Sequence, residues 1–235
     1  MSGDNDIWSK MKKEAVVLSS KEPMLSNFYD KSISQHEFFS TALAFNLTNF
    51  LSDEYVPFDQ LINDIELAYD NNLLPIKALK DIHAYFDRDP ACDNYCLPFL
   101  FFKGFLAVQS QRLANSFWNN GRELLASYIH HKICLLWDCD IHPGAHLGEG
   151  LMVDHATGLV IGETTEIGDN VSILHGVTLG GSGLAEGKRH PTIGNGVMIS
   201  AGAKILGALL IGDGSKIGAG SVVLNSIPAG VTVAG

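Results

Sequence analysis

Two short polar clusters in this chain hold side chains able to move a proton or grip an anion. In the first, His155 lies between Asp154 and Ala156. An imidazole changes charge near neutral pH and can act as a general base. A histidine beside an aspartate on a loop is just as readily a surface hydrogen-bonding pair. The second cluster is Arg189-His190, inside a glycine-rich stretch. A guanidinium is a planar fork suited to carboxylates and phosphates, although a solvated basic loop has the same composition. Asp89 stands in Arg88-Asp89-Pro90, which also reads as an ordinary helix stop. The four cysteines, Cys92, Cys96, Cys134 and Cys139, are spaced too loosely for a paired zinc motif, and the chain is too long for a disulfide scaffold. They are expected to be free thiols, with His131 beside Cys134 the one hint of anything more.

The elements that must position these groups divide sharply by composition. All 21 aromatic residues precede residue 140, and 21 of the 24 glycines follow it. One uniform architecture cannot produce that break. We therefore expect two regions, a helical one over 1–139 and a repetitive one over 140–235. The first carries apolar residues at three- and four-residue steps. A capping box at Ser34-Gln35-His36-Glu37 should open a helix through FFSTALAFNLTNFL. Further helices are expected from Phe58 to Ala68, from Pro75 towards Pro90, as one buried element from Pro98 through Trp118, and from Arg122 to Trp137.

The second region repeats every six residues. Ile141, Leu147 and Val153 form a first set; Ile161, Ile167, Ile173 and Leu179 a second; Ile193, Ile199, Ile205, Ile211, Ile217 and Val223 a third. A six-residue period suits neither a helix nor a hairpin meander. It suits a parallel β-helix whose short walls each send one aliphatic side chain inward. Aromatic rings would not fit so narrow an interior, and glycines serve its corners. The repeat is broken by two extra residues near Asp154-His155-Ala156-Thr157-Gly158 and by eight within GGSGLAEGKRHPT. Inserts in a solenoid are extruded as loops, often on the binding face. Both inserts carry or adjoin the polar clusters.

The combination of DIHPGAHLGEGLMVDHATGLVIGET, VTLGG, KRHPTIG and AGAKILG with the helical phrases DRDPACDNY and KGFLAVQSQRLA resembles bacterial serine O-acetyltransferases, within the hexapeptide-repeat acyltransferases. The resemblance spans essentially the whole chain. It implies an all-helical domain followed by a left-handed parallel β-helix that trimerises, with two trimers joined into a hexamer. It implies transfer of the acetyl group of acetyl-CoA to the hydroxyl of L-serine, giving O-acetyl-L-serine and CoA, the first step of cysteine biosynthesis, with L-cysteine as feedback inhibitor. It also implies His155 as general base and Asp140 as the carboxylate that orients it. Asp89, Asp154, Arg189 and His190 would line the amino-acid pocket, and Glu163 is a further carboxylate for the ammonium group. Gly181, Ala201 and Lys216 would border the coenzyme. No metal is implied. Family members that bind cysteine synthase end in a flexible tail closing on isoleucine; the sequence here ends at Gly235, which puts that partnership in doubt.

Other readings remain on sequence grounds. A hexapeptide acetyltransferase for a sugar or xenobiotic would share the repeat but not the helical region. A β-helix metal hydrase of the carbonic-anhydrase type could use His155 and His190, which are 35 residues apart, but Asn195 stands where a third histidine would be needed. A repeat scaffold without activity is the third. A net charge of −10 and a pI of 5.2 exclude a basic nucleic-acid surface. The polar N-terminus and the lack of any long apolar run make a cytoplasmic location the expectation.

Overall fold

The computed structural model describes residues 2–70, 73–183 and 187–235. Two compact units divide between Phe102 and Lys103. Secondary structure changes later, since helix gives way to strand between Trp137 and Cys139. No helix among the described residues is long and apolar enough to cross a membrane.

The first unit contains α1 (Ser2–Lys21), α2 (Ser26–Tyr29), α3 (Phe39–Leu51), α4 (Phe58–Asp70), α5 (Leu74–Arg88) and α6 (Cys96–Phe101). Met11 and Ala15 of α1 and Leu43, Leu47 and Leu51 of α3 are buried, as their spacing requires. The indole of Trp8 and the ammonium of Lys12 donate to the carbonyls of Glu37 and His36, at 3.0 and 2.7 Å. Glu14 accepts the N–H groups of Tyr95 and Cys96 at 2.9 and 3.2 Å and so caps α6. The capping box does not form. Ser34 closes a π-helical turn over Asp30–Ser34, and α3 starts at Phe39 behind an extended Phe38 with no side-chain cap. The expected single helix from Pro98 is likewise two, because Phe102 is extended (ψ 107°) between α6 and α7.

The second unit opens with the antiparallel pair α7 (Lys103–Asn119) and α8 (Glu123–Trp137). Fourteen short strands follow among the described residues. They are β1 (Cys139–Ile141), β2 (His146–Leu147), β3 (Met152–Val153), β4 (Leu159–Ile161), β5 (Glu166–Ile167), β6 (Ser172–Ile173), β7 (Thr178–Gly180), β8 (Thr192–Ile193), β9 (Met198–Ile199), β10 (Lys204–Leu206), β11 (Leu210–Ile211), β12 (Lys216–Ile217), β13 (Val222–Val223) and β14 (Thr232–Val233). They form three parallel sheets with strand orders β1-β4-β7-β10-β13, β11-β8-β5-β2 and β14-β12-β9-β6-β3, the walls of a solenoid, here called A, B and C. The thirteen repeat positions point inward, and none is more than 6% exposed. Pairing register shows where the inserts go. Ile161 pairs with Leu179, eighteen residues on, which is one plain coil. Ile141 pairs with Ile161, twenty on, and Ile167 with Ile193, twenty-six on. The two and eight extra residues are therefore expelled without shifting the walls; residues 184–186 of the longer insert lie outside the described residues.

Wall A begins with β1 (Cys139–Ile141), β4 (Leu159–Ile161) and β7 (Thr178–Gly180). The first coil has no preceding coil to satisfy its carbonyls, and polar side chains of α7 do so instead. Gln111 donates to the carbonyls of His142 and Ala145 (3.1 and 2.9 Å), Asn115 to Pro143 (2.7 Å) and Arg112 to Gly148 (2.5 Å). That accounts for Gln111 and Arg112 being buried.

Candidate active site

The corner between walls C and A carries the shorter insert. His155 and Ala156 are both left-handed there, at φ 58° and 60°, a region costly for residues with a Cβ. The segment is held by short backbone bonds: Ala156 N–H to Asp154 at 2.7 Å, Thr157 N–H to His155 at 2.8 Å, and Gly158 N–H to Asp138 at 2.9 Å. The strained turn aims the imidazole outward, with 69% of the side chain exposed. Asp154 Oδ2 lies 3.4 Å from its Nε2, and the His175 ring meets it edge-on at 5.7 Å. Lys103 of α7 reaches Thr157 in the same turn.

Successive coils stack along this corner. Gly176 N–H bonds to Thr157, Gly202 N–H to His175, and Gly220 N–H to Ala201, each at 2.8–2.9 Å. Ala201 therefore lies in the column that His155 heads. Lys216 is on the adjacent wall C, in register with Met198.

The longer insert leaves from the opposite end of wall A, the A–B corner. Its root is organised by Thr164, which the sequence reading did not single out. Thr164 Oγ1 accepts the N–H groups of both Arg189 and His190 at 3.0 Å and sits 2.9 Å from His190 Nδ1. Its own N–H donates to that Nδ1 at 3.2 Å, which leaves the ring hydrogen on Nε2. His190 is 9% exposed; burial, then the adjacent Arg189 charge, lowers its pKa and keeps it neutral. Arg189 pairs with Glu163, and that hydrogen bond holds the Glu163 carboxyl below its ordinary range. Lys188 bonds the Thr164 carbonyl at 2.6 Å and pairs with Glu166 at 3.0 Å. Gly181 lies against this root; a Cβ there would be 3.3 Å from both the Arg189 carbonyl and His190 Nε2. A shallow cleft of about 330 Å³ beside it is lined by Trp118, Glu163, Thr164 and Lys188, among others.

Asp140 occupies the outward position of β1, along the wall between the two corners. Its Oδ1 is 2.8 Å from Nε2 of His130 on α8, so the carboxylate beside His155 in this structure is Asp154. The strand nevertheless borders the His155 turn, since Cys139 Sγ donates to the Ala156 carbonyl. His142, also missed, accepts the Gly144 N–H at 2.9 Å, and burial lowers its pKa. Asp89, in the first unit, ends α5; its Oδ1 accepts the Ala91 N–H at 2.9 Å, which is the helix-stop role. All four cysteines are free.

A family model described as "Serine acetyltransferase, N-terminal" matches residues 7–110, and one described as "Bacterial transferase hexapeptide (six repeats)" matches residues 190–225. A serine acetyltransferase of Haemophilus influenzae is 47% identical over 231 residues, covering 98% of this chain and 86% of that protein. A solved serine acetyltransferase in complex with cysteine superposes with a TM-score of 0.97 at 46% identity, over 99% of this chain and 91% of the other. The Brucella abortus serine acetyltransferase in complex with coenzyme A gives 0.95 at 44% identity, over 98% and 92%. With both corners of wall A built as described and the likeness running through both units, the chain belongs to the serine acetyltransferase family.

Proposed function

We propose that this protein transfers the acetyl group of acetyl-CoA to the hydroxyl of L-serine, giving O-acetyl-L-serine and CoA. The observation that carries the reading is the exposed His155, fixed in a strained turn on a chain 47% identical to a serine acetyltransferase over 98% of its length. A serine hydroxyl is a weak nucleophile and needs a base that is neutral near pH 7. His155 Nε2 takes the hydroxyl proton as the oxygen attacks the thioester carbonyl. The tetrahedral intermediate then collapses, and the departing CoA sulfur receives that proton. No acyl-enzyme forms. Asp140, on the strand bordering the turn, orients the imidazole once it swings in over wall A and replaces His130 as the partner of that carboxylate.

The substrate's carboxylate pairs with Arg189, whose partner Glu163 already holds the guanidinium in place. Its ammonium pairs with Asp154. His155 and Arg189 stand at opposite ends of wall A, separated by at least three residues of strand, about 10 Å. A small amino acid does not bridge that span. The His155 corner of one copy therefore works with the Arg189 loop of the next, and a homotrimer closes all three sites. Acetyl-CoA lies along the His155 corner past Ala201 with its nucleotide towards Lys216, and Gly181 faces it from the neighbouring copy. Two such trimers would form a hexamer. The free thiols and the thioester substrate suit a reducing cytoplasm.

Cysteine keeps every charged group of serine, and a solved relative holds it, so cysteine occupies the same pocket here. Acetyl-CoA turnover followed by thiol release tests the reading. Serine should support it, whereas sugars and simple amines should not. Turnover favouring one of those acceptors, or none with serine, would overturn it.

A further inference from the structure

We propose that His130 Nε2, Cys134 Sγ and an Asp140 carboxylate oxygen form a binding site for a borderline divalent transition metal of the zinc class. Among the described residues one ring nitrogen of His130, the Cys134 sulfur and an Asp140 oxygen all lie within 4.8 Å of one another, and Nε2 is the nitrogen beside Asp140. The geometry follows from the sequence. His130 and Cys134 are four apart on α8 and share a helix face. Asp138 then takes a left-handed conformation (φ 55°) as the helix C-cap, and this turns the chain so that Asp140 emerges on β1 beside that face. In the sequence His131 is the only hint beside Cys134; on the helix it is His130 that comes to it.

The donor set is one imidazole nitrogen, one sulfur and one oxygen, the mixture tetrahedral zinc accepts and magnesium or calcium does not. In a tetrahedral site with bonds of about 2.0–2.1 Å, nitrogen and oxygen ligands lie about 3.3 Å apart. The His130–Asp140 pair, now at 2.8 Å, needs to open by only a few tenths of an ångström. The other three thiols are buried and donate to backbone carbonyls, whereas Cys134 is half-buried and Asp140 is 57% exposed. The fourth position is thus open to water. On binding, the Cys134 thiol releases its proton to solvent, and the His130 hydrogen moves through solvent from Nε2, where it faces Asp140, to Nδ1. Each residue becomes a lone-pair donor.

The site follows from geometry alone, but its effect rests on the proposed role of Asp140. A metal that captures this carboxylate removes the group that orients His155, so zinc inhibits. The test uses the full chain stripped with a chelator. Zinc titrated against a chromophoric chelator should occupy one site per chain, and cobalt should give a thiolate-to-metal absorption band. Cys134→Ser should abolish that band, and both Cys134→Ser and His130→Gln should weaken zinc binding at least about tenfold. Cys92→Ser should leave it unchanged. Serine acetylation by the stripped wild-type chain should fall with zinc, and Cys134→Ser should resist. No stoichiometric uptake, or uptake undiminished in both variants, would overturn the site. Stoichiometric zinc with activity intact would keep the site and overturn the role given to Asp140.

Discussion

The ring of His190 lies flat against Gly162, so close that a methyl group added to Gly162 would fall 2.0 Å from both Cδ2 and Nε2. Neither side can relax easily. The ring is pinned on its other edge by Thr164, and Gly162 N–H is bonded into the solenoid through Leu179 at 3.0 Å. Gly162→Ala should therefore eject the imidazole and release the root of the loop that carries Arg189. Overpacking of this kind costs about 1–3 kcal/mol. The KM for serine should rise roughly tenfold or more, with a smaller change in the KM for acetyl-CoA. Parallel kinetics on the two substrates check this, and an unchanged KM for serine would detach the loop root from acceptor binding.

His155 calls for a substitution that respects its backbone. At φ 58° an alanine adds strain, while asparagine tolerates the left-handed region. His155→Asn should lower kcat by about 10²–10⁴ with little change in thermal stability. Retention of more than about a tenth of the wild-type kcat would remove His155 from the role of base.

The walls and inserts of the solenoid are legible in the chain because each follows from a strict local rule. An inward aliphatic at every sixth position sets the register, and the extra residues before Ile161 and Ile193 have nowhere to go but outward. His155 and Arg189-His190 stand out for the same reason: they sit in those interruptions. Other features depend on packing that no period records. Phe102 breaks a continuous apolar run, and Ser34 ends a π-helical turn in place of capping α3. Thr164 is one threonine of two at a corner, and only the folded loop shows its four bonds to Arg189 and His190. The pairing of Asp140 with His130 joins a helix to a strand across a left-handed residue. Helical spacing could have favoured His130 over His131, but nothing local places Asp140 beside them.

Acid should loosen the loop root before it unfolds the solenoid. His190 is held below its ordinary value of 6.5, by burial first and then by Arg189, with His142 and Lys188 adding to the effect and Glu163 opposing it. The unfolded chain therefore binds the proton more readily, and the stability of the neutral ring is lost as pH falls through 6.5 towards the folded value. His142 has the same sign. Glu163 is held below 4.5 by Arg189, so its contribution is present above that pH and fades only at lower values. Melting temperatures across mildly acid pH should fall in the wild type and less steeply in His190→Gln. Equal slopes would assign the acid sensitivity to another group.

Cysteine should inhibit, and against serine it should do so competitively. It differs from serine by one atom, sulfur for oxygen, so Arg189 meets the same carboxylate and Asp154 the same ammonium. Charge and shape cannot strongly reject it. The hydroxyl-specific contact is the proton transfer to His155, and a thiol, more acidic than an alcohol, makes that contact at least as well. The thiol can also sit where the thioester would be attacked, so the bound inhibitor turns a productive contact into a dead end. Arg189→Ala should weaken cysteine inhibition and serine binding together, because both ligands use the same fork. His155→Asn should weaken cysteine more than serine, since the imidazole–thiolate pairing disappears while the carboxylate and ammonium contacts remain. Initial rates over a grid of serine and cysteine concentrations decide the first point, and inhibition constants in the two variants decide the second. Inhibition that excess serine fails to relieve would place cysteine at some other site, and an Arg189→Ala enzyme that keeps full sensitivity would do the same.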